Sequence, residues 1–414
     1  MKKLLQSLGP AIVVAAVVLG PGSILTSSKV GASFGPLGIP VVIASVVLMI
    51  GMVALAARIG VIYEGSPCDE LSSRLGRPVA VAVGLILFLL VALFQSSNNI
   101  AVVAGLSPLV EIVNGGVPLS LVSQVLLLVV FNCFVVSCLY LMRNLYGSVE
   151  KLMKILIGVM VFAFLVNFVV AHLTPRSFDP VAPTAKGDLI ALVGMIGTTF
   201  SVGGAFYQSY LVKEKGWGIG DARRGLVDSV VGISVLGLVT LIILMTATRV
   251  FYGNLDGVTL AGIDDVARQL EPLFGPWATV VFSLGIVAGA FSSFLVNSMI
   301  GGTVMADSIG KGSRLSQRWP LHLTTVALLT GMTVAIFSIL REGSTVSLIT
   351  FAQALTVLGI PALAAALVYL GTRRELTGDR RVPRWIVGLA AAGFLISCAL
   401  AIRTALAVWE KVTG

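Results

Sequence analysis

The chain alternates along its whole length between long apolar segments and short polar ones. Each apolar segment is about 20 residues long, the length of a helix that crosses a bilayer. The polar stretches between them are too short to form a soluble domain. This pattern predicts an all-α polytopic membrane protein with one membrane domain over 1–414. Its eleven spans fall at 9–33, 38–57, 79–105, 118–140, 150–171, 187–212, 225–247, 277–304, 321–339, 345–370 and 385–408.

Two of these spans are interrupted by residues that disfavour a helix. Proline removes a backbone donor, and glycine lowers the cost of unwinding. We expect two non-helical segments, with the second half-helices beginning near Ser23 and Ala205. The interrupting residues are Gly20, Pro21, Gly22 and Ser23 in span 1, and Ser201, Val202, Gly203 and Gly204 in span 6.

The two interruptions lie five spans apart. Paired interruptions of this kind are typical of transporters built from inverted repeats, whose substrate site lies near the membrane midplane. The spacing predicts one repeat over 9–171, a second over 187–370 and an extra helix over 385–408. The eight interrupting residues then become candidate substrate-binding residues.

The basic charge is a signal of topology. The sequence has 28 Lys and Arg against 19 Asp and Glu, a formal net charge of +9. Of the basic residues, 20 fall in alternate loops that include the N-terminus, and 6 fall in the opposite set. Because cytoplasmic loops are enriched in Lys and Arg, we expect the N-terminus in the cytoplasm and the C-terminus on the opposite side. We expect an integral protein of a plasma (inner) membrane. Membrane lipid is an expected partner, and nucleic acid is not.

The acidic residues avoid the centres of the spans. All 19 fall in loops or within about one turn of a span end, where a carboxylate is far less costly than in the bilayer core. A midplane site would therefore be neutral. It would offer the carbonyl oxygens of the first half-helices and the side chains of Ser23, Ser201, Gln208 and Gln353.

Several short segments, in this order and spacing, match the pattern of a known family. They are Leu8-Gly9-Pro10, Gly20-Pro21-Gly22-Ser23, Arg58-Ile59-Gly60-Val61, Glu150-Lys151-Leu152 and Ala290-Phe291-Ser292-Ser293, with Gln353 and Pro361 in span 10. From Leu8 to about Leu370 the chain resembles the Nramp family of divalent-metal transporters. The resemblance implies a LeuT-type fold of 5 + 5 inverted helices, with discontinuous helices 1 and 6 and an eleventh helix. It also implies metal-ion transport by alternating access.

The chain departs from this family at the residues that usually bind the metal. The family's Asp and Asn of span 1 are Gly20 and Ser23 here, and its later span 6 His is Gln208. Its Met-Pro-His-Asn motif falls at 201–204, where no Met or His is present. The acidic residues of span 3 are replaced by amides and hydroxyls over 95–99. The usual metal ligands are absent, and no titratable group remains at the positions that would couple transport to protons.

These departures leave two substrates open. The first is a divalent metal ion bound partly hydrated through neutral oxygens, since water-mediated contacts are nearly as favourable as direct ones. The second is a small organic or anionic solute, which would suit the N-termini of the second half-helices. A non-transporting receptor on the same fold is a third interpretation. We find no nucleophile–base pair, phosphate loop or metal-ligand cluster, so we expect neither an enzyme nor a cofactor.

Five polar residues outside the interruptions are candidates for lining the solute path, and each could have a structural role instead. Lys29 could extend to the membrane surface. Gln95, Asn98 and Asn99 could instead join helices by hydrogen bonds. Tyr207 could instead pack against span 8.

Overall fold

The computed structural model describes residues 9–142, 144–176, 178–180, 189–254, 260, 276–341 and 345–413. Within these residues the protein is helical and contains no strand. The helices are α1 (Pro10–Val18), α2 (Pro21–Phe34), α3 (Gly38–Ile62), α4 (Pro67–Leu75), α5 (Arg77–Val113), α6 (Leu121–Leu141), α7 (Leu145–Leu173), α8 (Leu189–Thr199), α9 (Val202–Glu214), α10 (Ala222–Phe251), α11 (Pro276–Ser308), α12 (Arg318–Leu340), α13 (Thr345–Gly371) and α14 (Arg384–Thr413).

These helices correspond to the eleven predicted spans. Among the described residues, eight helical segments are long and apolar enough to cross a membrane, and they contain spans 2–5, 7–9 and 11. Spans 1 and 6 are each divided into two shorter helices, α1–α2 and α8–α9. Span 10 is α13, of which Val357–Gly371 is the apolar part with described side chains. The predicted discontinuity of helices 1 and 6 is therefore confirmed.

Among the described residues, one α-helix was not predicted. The loop after α3 forms the short amphipathic helix α4. Ser66 caps it by accepting a hydrogen bond from the Asp69 N–H at 3.2 Å, and Pro67 is its first residue. Gly76 ends it with a φ of 88°, a conformation that favours glycine. In the sequence this helix is too short and too polar to stand out from a loop.

The half-helix α1 lies at the centre of the bundle. All of its residues are buried, because α7, α9, α10 and α11 pack around it. Of these helices, α11 also packs against the long helix α5. On the periphery, α14 packs against α13 and α3 and turns apolar side chains such as Leu395, 67% exposed, outward. Outward-facing apolar side chains of this kind are suited to lipid.

Candidate functional site

The break in the first span consists of Leu19 and Gly20. The N–H of Leu19 still donates to the Ala15 carbonyl at 3.1 Å, and Pro21 is the first residue of α2. Proline is well tolerated at this position because its missing N–H would be unpaired anyway and its fixed φ suits a helix. The prediction that Pro21, Gly22 and Ser23 are non-helical is therefore wrong.

The break in the sixth span is equally short and consists of Phe200 and Ser201. The half-helix α9 begins at Val202, and the Ala205 N–H donates to the Ser201 carbonyl at 3.0 Å. The prediction that 202–204 are non-helical and that α9 begins near Ala205 is therefore wrong. A glycine costs a helix only about 1 kcal/mol, and packing of the buried half-helix outweighs that cost.

The last carbonyls of α1 are hydrogen-bonded by serine hydroxyls. Ser292 and Ser293 of α11 donate to the carbonyl oxygens of Ala16 and Val17 at 2.8 and 2.5 Å. Ser23 donates to the Val18 oxygen at 2.5 Å. A carbonyl oxygen has two lone pairs, so one remains on each for a ligand or its water. The end of the half-helix is thus satisfied by neutral donors.

A cavity of about 70 Å³ lies where the two breaks meet. It exceeds the minimum of roughly 10–15 Å³ needed for one water molecule, and it has room for a few. Its lining is mostly apolar, and no ionisable side chain is among the described residues that form it. The lining residues are Val17, Val18, Gly20, Ser23, Leu87, Leu90, Val91, Phe94, Gly194, Gly197, Thr198, Ser201, Val202, Gly203, Gly204, Asn297, Ile300, Val357, Ile360 and Leu363.

Six of the predicted substrate-binding residues share this lining, and four polar groups face the cavity. The six are Gly20, Ser23, Ser201, Val202, Gly203 and Gly204. The polar side chains are Ser23, Ser201, Thr198 and Asn297, of which the last two were not predicted. Nothing in the sequence distinguishes them from other polar residues of spans 6 and 8.

The described residues around the cavity include no cation-binding cluster. Among the described residues no group of three or more His, Cys, Asp or Glu side chains could hold a metal ion. The first backbone N–H groups of α9, from Val202 to Gly204, lack acceptors within the helix, as at every helix start. The cavity therefore presents neutral oxygens from one side and backbone donors from the other.

The remaining predicted substrate-binding residues lie outside the cavity lining. Pro21 and Gly22 are buried in the first turn of α2. Gln208 is buried further along α9, where its Nε2 donates to Asp228 Oδ2 at 3.4 Å. Gln353 is on α13, and its side chain falls outside the described side chains.

Two of the path candidates also lie away from the cavity lining. The ring of Tyr207 stacks on that of Tyr210 with centroids 5.8 Å apart. Lys29 is half-buried on α2, without a hydrogen-bond or ion-pair partner in the part of the chain that the structure describes.

The amides of span 3 form a buried network between helices. Gln95 Nε2 donates to the Phe294 carbonyl of α11 at 2.6 Å, and Asn98 donates to Gln95 Oε1 at 2.6 Å. Asn132 of α6 donates to Asn99 Oδ1 at 2.7 Å. The span contributes only apolar side chains to the cavity lining. The interhelical alternative accounts for these contacts without a role in the solute path.

Asp228, on α10, binds the N-terminus of α1. Its carboxylate accepts from the N–H of Gly9 at 2.7 Å and from that of Ala11 at 2.8 Å, and the side chain is 1% exposed. Pro10 between them has no N–H. One carboxylate thus satisfies the free donors at this helix start and complements its positive dipole.

Asp307 joins three elements near the end of α11. Its Oδ1 accepts from the Ser66 hydroxyl at 2.6 Å, and its Oδ2 accepts from the Tyr210 hydroxyl at 2.6 Å and the Cys68 N–H at 3.3 Å. Ser66 and Cys68 belong to the start of α4, and Tyr210 to α9. This carboxylate therefore fixes the half-helix α9 to α4 and α11.

A third buried carboxylate, Glu150 on α7, forms ion pairs with Lys154 at 2.7 Å and Lys215 at 2.6 Å. All three carboxylates lie near span ends, where the sequence placed every acidic residue. Sequence reasoning missed their burial and their partners. The available signal was an acidic residue inside or directly next to an apolar segment.

The chain matches one protein family over nearly its whole length. The family described as natural resistance-associated macrophage protein-like, Nramp, matches residues 11–407. Among curated proteins, the divalent metal cation transporter MntH of Verminephrobacter eiseniae is 24% identical over 412 residues, covering 96% of this chain and 87% of that protein. The MntH of Klebsiella pneumoniae strain 342 is 25% identical over 392 residues, covering 92% and 89%.

The fold is also similar to solved structures. The structure of the Eremococcus coleocola manganese transporter, in complex with an aromatic bis-isothiourea compound, superimposes with a TM-score of 0.77 at 20% sequence identity. The match covers 97% of this chain and 86% of that one. At this identity the similarity establishes the fold, a LeuT-type bundle with two discontinuous helices.

Proposed function

The chain belongs to the Nramp family, and from that membership we propose that it is a secondary transporter that moves a divalent metal ion across a membrane by alternating access. Curated relatives that match more than nine-tenths of the chain carry the name of divalent metal cation transporter. The protein is an integral membrane transporter and not an enzyme. The observation that supports the substrate site is the cavity between the two helix breaks, the position at which such folds bind their substrates.

The ion would bind without a charged ligand. Ser23, Ser201, Thr198 and Asn297 supply neutral oxygens, and the carbonyls of Val17 and Val18 supply their second lone pairs. Without a carboxylate these ligands offset little of the cost of dehydration. The ion therefore keeps part of its water shell, for which the cavity has room.

The topology that we propose puts the N-terminus in the cytoplasm. It rests on the excess of Lys and Arg in alternate loops. In this orientation Asp228, Asp307 and Glu150 lie on the cytoplasmic half of the protein. They hold α1 and α9, the two half-helices on that side of the cavity.

A second candidate substrate is a small anion or zwitterion. The specific observation in its favour is the neutral cavity facing the start of α9, where Val202, Gly203 and Gly204 present backbone donors. Such donors, with the positive end of the helix dipole, suit a carboxylate or another anion.

Purified protein in liposomes tests the proposal directly. We expect manganese uptake above that of protein-free liposomes, with binding at about 10⁻⁴ M or weaker because the site has no ligand charge. Ser201→Ala removes a hydroxyl that has no partner within the described structure. We expect it to weaken binding about five-fold, the equivalent of one hydrogen bond.

Ser137→Ala is the matched control. Ser137 is exposed on α6, and within the described structure its hydroxyl bonds to the Cys133 carbonyl of its own helix, so binding should not change. Uptake of an anion in place of manganese would support the second candidate, and binding without flux would support a receptor. Micromolar manganese affinity that disappears in Ser23→Ala would contradict the weak, hydrated site.

A further inference from the structure

A second cavity, of about 470 Å³, lies where α13 ends and α14 begins. Four arginines line it: Arg373, Arg374, Arg381 and Arg384. We propose that this arginine pocket binds the phosphate group of an anionic membrane phospholipid. The inference uses the membrane topology proposed above, in which this loop is cytoplasmic, and it does not depend on the transported substrate.

The pocket has positive charge that the protein does not neutralise. Arg374, Arg381 and Arg384 are exposed and form no ion pair within the described structure. Neither of the two carboxylates of this loop, Glu375 and Asp379, belongs to the lining. Several unpaired guanidinium groups around one concave surface constitute a site for a doubly or singly charged phosphate, which arginine binds through paired N–H donors.

The main partner of the Glu375 carboxylate lies outside the pocket. This carboxylate pairs with Arg74 at 2.7 Å, and Arg373 lies 3.9 Å away on its other oxygen. The hydrogen bond from Arg74 lowers the pKa of Glu375, so this carboxylate stays ionised and committed to Arg74. Of the pocket arginines it is close only to Arg373, so Arg374, Arg381 and Arg384 have no counter-charge within the described structure.

Side-chain contacts hold the backbone around the pocket in place. The Arg58 guanidinium, from α3, donates to the carbonyl oxygens of Asp379 and Arg381. Tyr63 donates to the Leu370 carbonyl at 2.8 Å. Arg373 lies over the Tyr369 ring at 5.0 Å and donates to its hydroxyl at 3.0 Å. These contacts hold the backbone of the loop and the Arg373 side chain in place, which lowers the entropic cost of binding.

The surroundings favour a lipid over a soluble phosphate compound. Trp385 directly follows Arg384 and is 48% exposed at the start of α14. Tryptophan in such a position is typical of the membrane–water interface. Beyond it, α14 exposes apolar side chains along its length, among them Ile402. An acyl chain can lie along this helix while its headgroup enters the pocket, and basic pockets between membrane helices bind anionic headgroups in this way.

The test compares two double variants of the full-length protein. Arg381→Gln with Arg384→Gln removes two charges from the pocket. Arg223→Gln with Arg318→Gln is the control, because these arginines are also exposed, lie on the same side by loop count and are outside the pocket. Native mass spectrometry measures retention of phosphatidylglycerol against phosphatidylcholine. Thermal unfolding is measured in parallel with each lipid and with inorganic phosphate.

We expect the wild type and the control to retain phosphatidylglycerol selectively and to unfold at higher temperature in its presence. An interfacial arginine contributes about five-fold to the affinity for anionic lipid, so the pocket variant should lose roughly 25-fold. Equal losses in both variants would overturn the pocket in favour of general surface charge. Stabilisation by inorganic phosphate with no effect of lipid would also overturn the proposal, in favour of a soluble phosphate compound.

Manganese binding is measured on the same samples. It should be equal in the wild type and the pocket variant, because the pocket arginines are not part of the cavity between the helix breaks. If manganese fails to bind while phosphatidylglycerol is retained, the proposed substrate is wrong and the lipid site stands. If manganese binds and lipid retention shows no selectivity, the lipid site is wrong and the substrate stands.

Discussion

Gly20 and Ser293 lie so close together that a β-carbon on Gly20 would be 2.3 Å from the Ser293 hydroxyl oxygen and 2.9 Å from its Cβ. The backbone of Gly20 is extended, with φ −81° and ψ 179°, so any residue could adopt its conformation. Its small size is what the structure requires. Ser293 uses the adjacent space to donate to the Val17 carbonyl. A side chain at position 20 would displace this hydroxyl and, because the Ser293 Cβ cannot rotate away, would also require a small shift of α11. The Val17 carbonyl would then be free for a ligand.

Gly20→Asp should therefore create a stronger cation site. The variant places a carboxylate beside the freed Val17 carbonyl, and a divalent ion offsets the cost of an unpaired charge in the membrane. At a manganese concentration 100 times the dissociation constant we expect a stabilisation of about 2.7 kcal/mol. Thermal unfolding with and without manganese measures it.

Gly20→Asn is the control for this variant. The amide has nearly the same size and also displaces Ser293, but it carries no charge. Equal stabilisation of both variants by manganese would show that the carboxylate is not the ligand. A folded Gly20→Asp protein that manganese does not stabilise would show that position 20 does not face the substrate site.

Asp228→Asn should destabilise the protein through the N-terminus of α1. The carboxylate accepts from two backbone N–H groups, whereas an amide has one oxygen and would turn a donor toward the other. Hydrogen bonds to charged groups contribute about 1.5–3 kcal/mol each, so we expect a loss of about 2 kcal/mol. The midpoint of thermal unfolding in detergent is the measurement.

Asp221→Asn is the matched change, in the turn that precedes the same helix. Asp221 is partly exposed, lies 3.6 Å from Arg224 and accepts from the Gly218 N–H at 3.2 Å. Such exposed contacts contribute about 1 kcal/mol. Equal losses in the two variants would contradict the role of Asp228 at the start of α1.

Tyr210→Phe should loosen the contact between α9 and α4 and expose Cys68. The change removes the hydroxyl that donates to Asp307 Oδ2 at 2.6 Å and contacts Cys68 Sγ at 3.3 Å, and it removes no packing. Burial, with the charge of Asp307 next to the thiol, raises the pKa of Cys68. At pH 7–8 the thiol is therefore protonated as well as buried, and the wild type should react very slowly with a maleimide.

We expect Tyr210→Phe to accelerate this labelling at least about ten-fold, because a lost charge-assisted hydrogen bond of roughly 1.5–3 kcal/mol raises the open population. The assay uses protein with Cys133→Ala, Cys138→Ala and Cys398→Ala. Tyr140→Phe is the control, since the Tyr140 hydroxyl bonds to His322 on an exposed surface. The same acceleration in the control would contradict the specific contact.

Transport should show little coupling to protons. A proton-coupled carrier needs a group along the path that changes its charge, and none of the described residues that line the cavity has a titratable side chain. We expect that a pH gradient imposed on proteoliposomes drives no accumulation of the substrate.

Lys29 is the first residue to test if a pH gradient does drive accumulation. If a gradient does drive accumulation and Lys29→Gln abolishes it while binding is kept, Lys29 is the proton site and the uncoupled mechanism is wrong. Lys151→Gln is the control, because Lys151 is exposed on α7. If accumulation persists in Lys29→Gln, the proton path runs through other groups, and the buried Asp228 and Asp307 are the next to test.

The amino-acid sequence by itself determined the membrane helices and the place of the two breaks. Both follow from local properties, because apolar length decides whether a helix can span a bilayer, and Pro21 and the glycines act on their own turn. The exact ends of the breaks could not be predicted from the sequence. The prediction placed the first residues of α2 and α9 two to three residues too late, because packing of these half-helices outweighs the weak helix propensity of Gly22, Gly203 and Gly204.

Only the tertiary structure decided which groups meet. Ser292 and Ala16 are 276 positions apart, and Asp228 and Gly9 are 219 positions apart. Hydrogen bonds between such residues depend on how helices pack, and a single sequence shows that a serine or an aspartate is present without showing its partner. The same packing placed Gln208 beside Asp228 instead of in the cavity, and it gathered the arginines of one short loop around a common pocket.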